Sequence, residues 1–250
     1  MNKYILLILT SVALSSCGIY RQNVVNTPLF QQKKQTQIGA HVGFTGLNAQ
    51  ASYALTNHIG MIANYSNMGT KRTSFSTINY SIDKNNFGEV GAGYYHNNKT
   101  GFVFEIFLVA GKGMGSNFSA GGDTIAGHTP PYTSLKKANY NRFLIQADIG
   151  KSFGQFNFAI SPRIFVLQYY NITDTESDIY KNISNRYLCS DLALTGQYKM
   201  YKNFIISAQM GVTTVISGQK IGYYQYSPFN CSIGFILHLN FSKFSDKRNF

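Results

Sequence analysis

The sequence predicts an all-β chain, an up-and-down antiparallel transmembrane β-barrel of about ten strands, eight being the smaller alternative. Three observations predict it. First, apolar and polar residues alternate with period two from about Thr36 almost to the C-terminus. Second, only 13% of residues are charged while 15% are aromatic, and 23 are glycine. An ordinary soluble domain carries roughly 25% charged residues, so the polar face of these strands is too poor in charge to be a soluble surface. Third, short and long connections alternate, as an up-and-down barrel with short turns at one end and long loops at the other would require.

The strands follow in order. Ile38, Ala40, Val42 and Phe44 form the apolar face of the first, and Leu47 to Leu55 that of the second. Thr56-Asn57-His58 is a tight turn into Ile59, Met61, Ala63 and Tyr65. Val90, Ala92 and Tyr94 precede a turn from His96 to Gly101 and the strand Phe102 to Ala110. Phe143 to Ile149 and Phe156 to Val166 are joined through Gly154-Gln155. Leu188 to Leu194, Phe204 to Val212 and Phe229 to Phe241 complete the set. Residues 68–86, 113–138, 171–184 and 216–227 read as long polar external loops, and Thr45-Gly46 as one short external connection. Pro162 falls mid-strand, where it removes a ladder donor and predicts a bulge or a local break. Tyrosines at strand ends, such as Tyr94-Tyr95 and Tyr169-Tyr170, suit a girdle at headgroup level.

The N-terminus carries an address. Lys3 precedes an apolar run from Tyr4 to Leu14, too short to span a bilayer, and then Leu14-Ser15-Ser16-Cys17. This resembles a bacterial lipoprotein signal with its lipobox. The resemblance implies cleavage before Cys17, a covalent lipid on that cysteine and sorting to the outer membrane. The chain then divides into a signal peptide (1–16), a polar tether from the lipidated cysteine (17–35), a barrel domain (36–244) and a C-terminal tail (245–250). With its repeated hairpins, of which Ala51 to Tyr65 is the clearest, the chain resembles the small outer-membrane β-barrel proteins of Gram-negative bacteria. The resemblance covers roughly 36–244 and carries architecture rather than function.

Candidate chemistry is sparse. Glu89, Glu105, Arg142, Asp148, Arg163 and Asp191 share the polar face and predict a charge network that fills the lumen, since buried charges need partners. His41 and His238 also point there, on strands that meet at barrel closure, and lumen hydrogen bonding suits them better than a metal. Asp174, Glu176 and Asp178 lack the glycine and terminal Glu of a calcium loop. Gly111-Lys112-Gly113-Met114-Gly115 lacks Walker spacing. Cys189 and Cys231 point to opposite faces, which disfavours a disulfide. No catalytic motif, metal set or cofactor site is expected.

The net charge of +12 resides in scattered pairs. Export excludes nucleic acid and leaves outer-membrane lipids, lipopolysaccharide or envelope proteins as partners. The sequence therefore favours a lipid-anchored, non-enzymatic outer-membrane barrel with a structural or interaction role. A porin-like channel for small solutes and a membrane hydrolase or lipid-modifying enzyme are the alternatives. Oligomeric state is not legible.

Overall fold

The structure, a computed structural model, describes residues 19–73, 80–98, 100–121, 132–175, 185–218 and 226–240. Two short strands, β1 (Tyr20–Arg21) and β11 (Tyr226–Ser227), pair in parallel. The other ten form one closed antiparallel barrel. They are β2 (Gln35–Gly43), β3 (Gly46–Ala54), β4 (Ile59–Thr73), β5 (Tyr80–Asn97), β6 (Phe102–Gly121), β7 (Tyr132–Phe153), β8 (Phe156–Asp174), β9 (Asn185–Tyr201), β10 (Phe204–Gly218) and β12 (Phe229–Asn240). Each pairs with its sequence neighbour, and β12 closes onto β2 through pairs from Ser232↔Gly43 to Asn240↔Gln35.

The alternation sets the facing throughout. Ile38, Val42, Leu47, Ile106, Leu108, Phe143, Ile164 and Phe235 all point outward and are exposed. Gln37, His41, Gln50, Gln146, Ser161 and Gln209 point inward and are buried. The barrel is thus apolar outside and polar inside, the inverse of a soluble barrel and the arrangement a bilayer requires.

Strands β4 to β10 run well past the apolar runs that mark them in sequence. Much of 68–86 and 113–138, and the first residues of 171–184 as far as Asp174, expected as loop, are strand. The reason is a change of environment. Toward the long-loop end the outward face mixes polar with apolar residues while the inward face carries Phe87, Tyr140 and Tyr169, so the hydrophobic signal fades although the ladder continues. Pro162 makes a local break rather than a bulge. The β7–β8 register lapses between Gln146↔Arg163 and Ile149↔Ile160 and resumes without a shift.

The largest departure is at the N-terminus. The segment expected as a polar tether is not outside the barrel. Residues 19–30 are all buried, and they thread the lumen from the long-loop end to the short-turn end. The chain reverses through Gln31 to Lys34, with Leu29 (φ 49°) and Lys34 (φ 62°) in the left-handed region, before entering β2. Cys17 lies outside the described residues, as do 241–250, where the barrel domain was expected to end.

Facing yields a direct test. Ile106 sits midway along the outward apolar row of β6. Ile106→Arg is expected to weaken insertion by about 2–4 kcal/mol near the bilayer midplane. Ser116→Arg, outward on the same strand but beyond the apolar belt, is expected to be tolerated. Folding yield into vesicles, read by heat-modifiable gel mobility, measures both.

Candidate functional site: the lumen and its internal segment

A chain threaded through a closed barrel cannot complete its backbone hydrogen bonds by itself, and buried amide groups left unpaired are costly. The wall supplies the partners. The Val24 amide donates to Asn48 Oδ1 at 3.2 Å, and Gln50 Nε2 donates to the Val24 carbonyl at 2.9 Å. Gln209 binds Val25 on both sides, accepting from its amide at 2.6 Å and donating to its carbonyl at 3.0 Å. Gln146 donates to the Asn26 carbonyl at 2.8 Å, Gln197 to the Thr27 carbonyl at 3.1 Å and Gln37 to the Pro28 carbonyl at 2.5 Å. Near the long-loop end Asn85 donates to the Ile19 carbonyl at 2.7 Å. Near the short-turn end both Glu105 oxygens accept backbone amides, Leu29 at 3.1 Å and Phe30 at 2.7 Å. These contacts come from strands all round the barrel.

Shape agrees with polarity. Glycines on the inward face leave space that the segment occupies. A Cβ on Gly60 would stand 2.4 Å from the Phe30 ring, one on Gly150 2.4 Å from Leu29, and one on Gly115 2.3 Å from the Ile19 carbonyl oxygen. Phe30 also packs on Tyr95 at 5.2 Å between ring centroids, and Tyr20 on Tyr140 and Phe165 at 5.7 Å each. Beside Tyr20 a cavity of about 70 Å³ remains, lined by Tyr169, Tyr187, Cys189 and Thr213, too small to pass a solute.

All six charged residues expected in the lumen are buried there. Four of them form two ion pairs: Arg142 with Glu89, and Arg163 with Asp191 at 2.5 Å. Asn23, on the internal segment, joins the first pair. Its side-chain amide donates to Glu89 at 2.7 Å, and its oxygen accepts from Arg142 at 2.8 Å. Arg142 also donates to the Tyr20 hydroxyl and stacks over Phe87 at 4.3 Å. Aspartate 191 takes a further bond from Thr213 at 2.6 Å.

Glu105 and Asp148 form no direct ion pair with either arginine. They stand opposite each other across β6 and β7. Glu105 faces the segment's amides, while Asp148 accepts from Gln146 at 2.9 Å. One further contact was not legible at all: Arg21 of the segment pairs with Asp83 at 3.3 Å.

His41 and His238 are not joined by any metal set, and no cluster of metal-ligating residues occurs among the described residues. Cys189 and Cys231 are free thiols. Asp174 is buried at the end of β8, and Glu176 and Asp178 lie outside the described residues.

The sequence reading found the charges but missed what they surround. The available signal was the recurrence of apolar pairs, Ile19-Tyr20, Val24-Val25 and Leu29-Phe30, in a stretch too apolar for a free tether.

No protein-family model matches the chain, and no curated protein matches it. Solved structures do resemble it. The translocator domain of the autotransporter NalP from Neisseria meningitidis is 12% identical, covers 82% of this chain and 86% of its own, and has a TM-score of 0.41. The KdgM porin in complex with disordered oligogalacturonate is 11% identical over 81% of this chain and 98% of its own, with a TM-score of 0.34. Acinetobacter baumannii CarO2 is 10% identical over 84% of this chain and all of its own, also at 0.34.

The ion pairs predict a reversal. Arg163→Ala strands buried Asp191 and is expected to cost about 3–5 kcal/mol. Arg163→Met combined with Asp191→Asn is expected to recover most of it, since Thr213 retains an acceptor. Denaturant titration followed by gel mobility measures the series.

Proposed function

We propose that this chain is an outer-membrane barrel closed by its own N-terminal segment, lipid-anchored at Cys17, with a non-enzymatic structural or interaction role. Placement in the membrane is supported by the exposed apolar belt around a polar lumen. Orientation follows from the connections, with long loops external and short turns periplasmic.

The single observation that carries the functional reading is the filled lumen. A barrel of this width holds little beyond side chains, and residues 19–30 occupy the remaining space. Carboxylates that hold arginines, backbone amides and the internal segment are committed to structure, which speaks against hydrolytic chemistry in the lumen. The solute-channel alternative draws support from one feature. The plug is a single segment bound without a disulfide among the described residues, so its withdrawal would leave a polar bore.

Planar-bilayer recording tests the reading. The full chain is expected to show no steady conductance. Removal of residues 19–30 is expected to open a stable conducting state, and Gly115→Val is expected to do so in part by displacing Ile19. Steady conductance of the unaltered barrel would overturn the closed reading in favour of a porin. The anchor has its own test: Cys17→Ala is expected to abolish palmitate labelling while export continues.

A further inference from the structure

Charge is sorted across the wall. Every acidic residue among those described, Asp83, Glu89, Glu105, Asp148, Asp174 and Asp191, is buried on the inner side. Lys84, Lys112 and Lys137 are instead exposed on the outer face of β5, β6 and β7. Their height follows from the register. The continuous apolar outward rows end at Val90↔Ala110↔Phe143↔Val166, and one further apolar row, Ile82↔Phe118↔Leu135, lies beyond the lysines toward the long loops. The next outward row toward the long loops is Gly88↔Lys112↔Asn141↔Gln168. Four residues farther along β6 comes Lys84↔Ser116↔Lys137.

Lys84 and Lys137 therefore flank Ser116 in one row. Neighbouring strands lie about 4.8 Å apart, so these two backbones are about 10 Å apart and both ammonium groups reach a single anion over the serine. Lys112 stands about 13 Å below on the central strand, with its ammonium 5.7 Å from the Tyr170 ring. No described carboxylate shares this face to neutralise it.

We infer that the outward face of β5–β7 is a binding surface for phosphorylated lipid headgroups of the outer leaflet. Lys84 and Lys137 hold one phosphate over Ser116, and Lys112 meets a second at the edge of the apolar belt. This rests on the membrane placement proposed above. Charge complementarity selects an anionic headgroup, and the adjoining apolar wall below it selects a lipid over a soluble anion.

The test uses the full chain in neutral detergent, with diphosphorylated lipid A and its dephosphorylated form as probes, read by native mass spectrometry and by vesicle binding. The barrel is expected to prefer the diphosphorylated form by at least about tenfold, a difference of roughly 1.4 kcal/mol. The triple variant Lys84→Gln, Lys112→Gln, Lys137→Gln is expected to lose that preference while keeping heat-modifiable mobility. Lys199→Gln with Lys202→Gln, exposed at the short-turn end, is expected to keep it. Equal binding of both lipid forms, an equal loss in the Lys199/Lys202 variant, or full competition by inorganic pyrophosphate would overturn the inference. Failure of the unaltered barrel to insert into vesicles would instead overturn the membrane placement.

Discussion

The structure depends on one constraint: a peptide segment enclosed in a barrel must find a partner for each backbone polar group. Residues 19–30 form almost no regular structure, with only Tyr20 and Arg21 in a short strand. Their hydrogen bonds come instead from long polar side chains of the wall. Gln37, Gln50, Gln146, Gln197 and Gln209 reach the segment's carbonyls, and Asn48, Gln209 and Glu105 take its amides. Glutamine suits this task because its terminal amide both donates and accepts. Gln209 uses both capacities on Val25 alone.

The charges follow from the same enclosure. Removing a carboxylate and a guanidinium from water is costly unless their mutual geometry and further hydrogen bonds compensate. Arg142 meets this with Glu89, Asn23, Tyr20 and an aromatic face. Because Asn23 and Tyr20 belong to the internal segment, the ion pair is completed only when the segment is seated. Glu105 shows the same dependence at the other end, where its two oxygens are satisfied by the amides of Leu29 and Phe30. Wall and segment thus complete each other's polar groups at both ends of the lumen.

Much of this was legible in the sequence, for a definite reason. Period-two alternation reports which face meets lipid, so strand facing, barrel closure and the lumen position of Arg142 or Asp191 could be read directly. Strand length could not. Beyond Val90 and Phe143 the outward rows mix Lys84, Lys112, Lys137 and asparagines with apolar Met114 and Phe118 while the inward rows turn aromatic, so the pattern loses contrast although pairing continues. The plug was invisible because its partners are distant in sequence. Nothing local in Asn23 specifies Glu89 and Arg142, and nothing in Gly115 announces the Ile19 carbonyl. The polar faces were read correctly as lumen, but nothing local marks their glutamines as ligands of a chain.

The most direct measurement of the central claim is amide hydrogen exchange across residues 19–30 in the membrane-embedded barrel. The account predicts protection of the Val25 and Phe30 amides comparable to that of the β6 and β7 ladders, with release of both when Gln209 and Glu105 are replaced by alanine. Exchange at the rate of a free chain in the unaltered protein would contradict it.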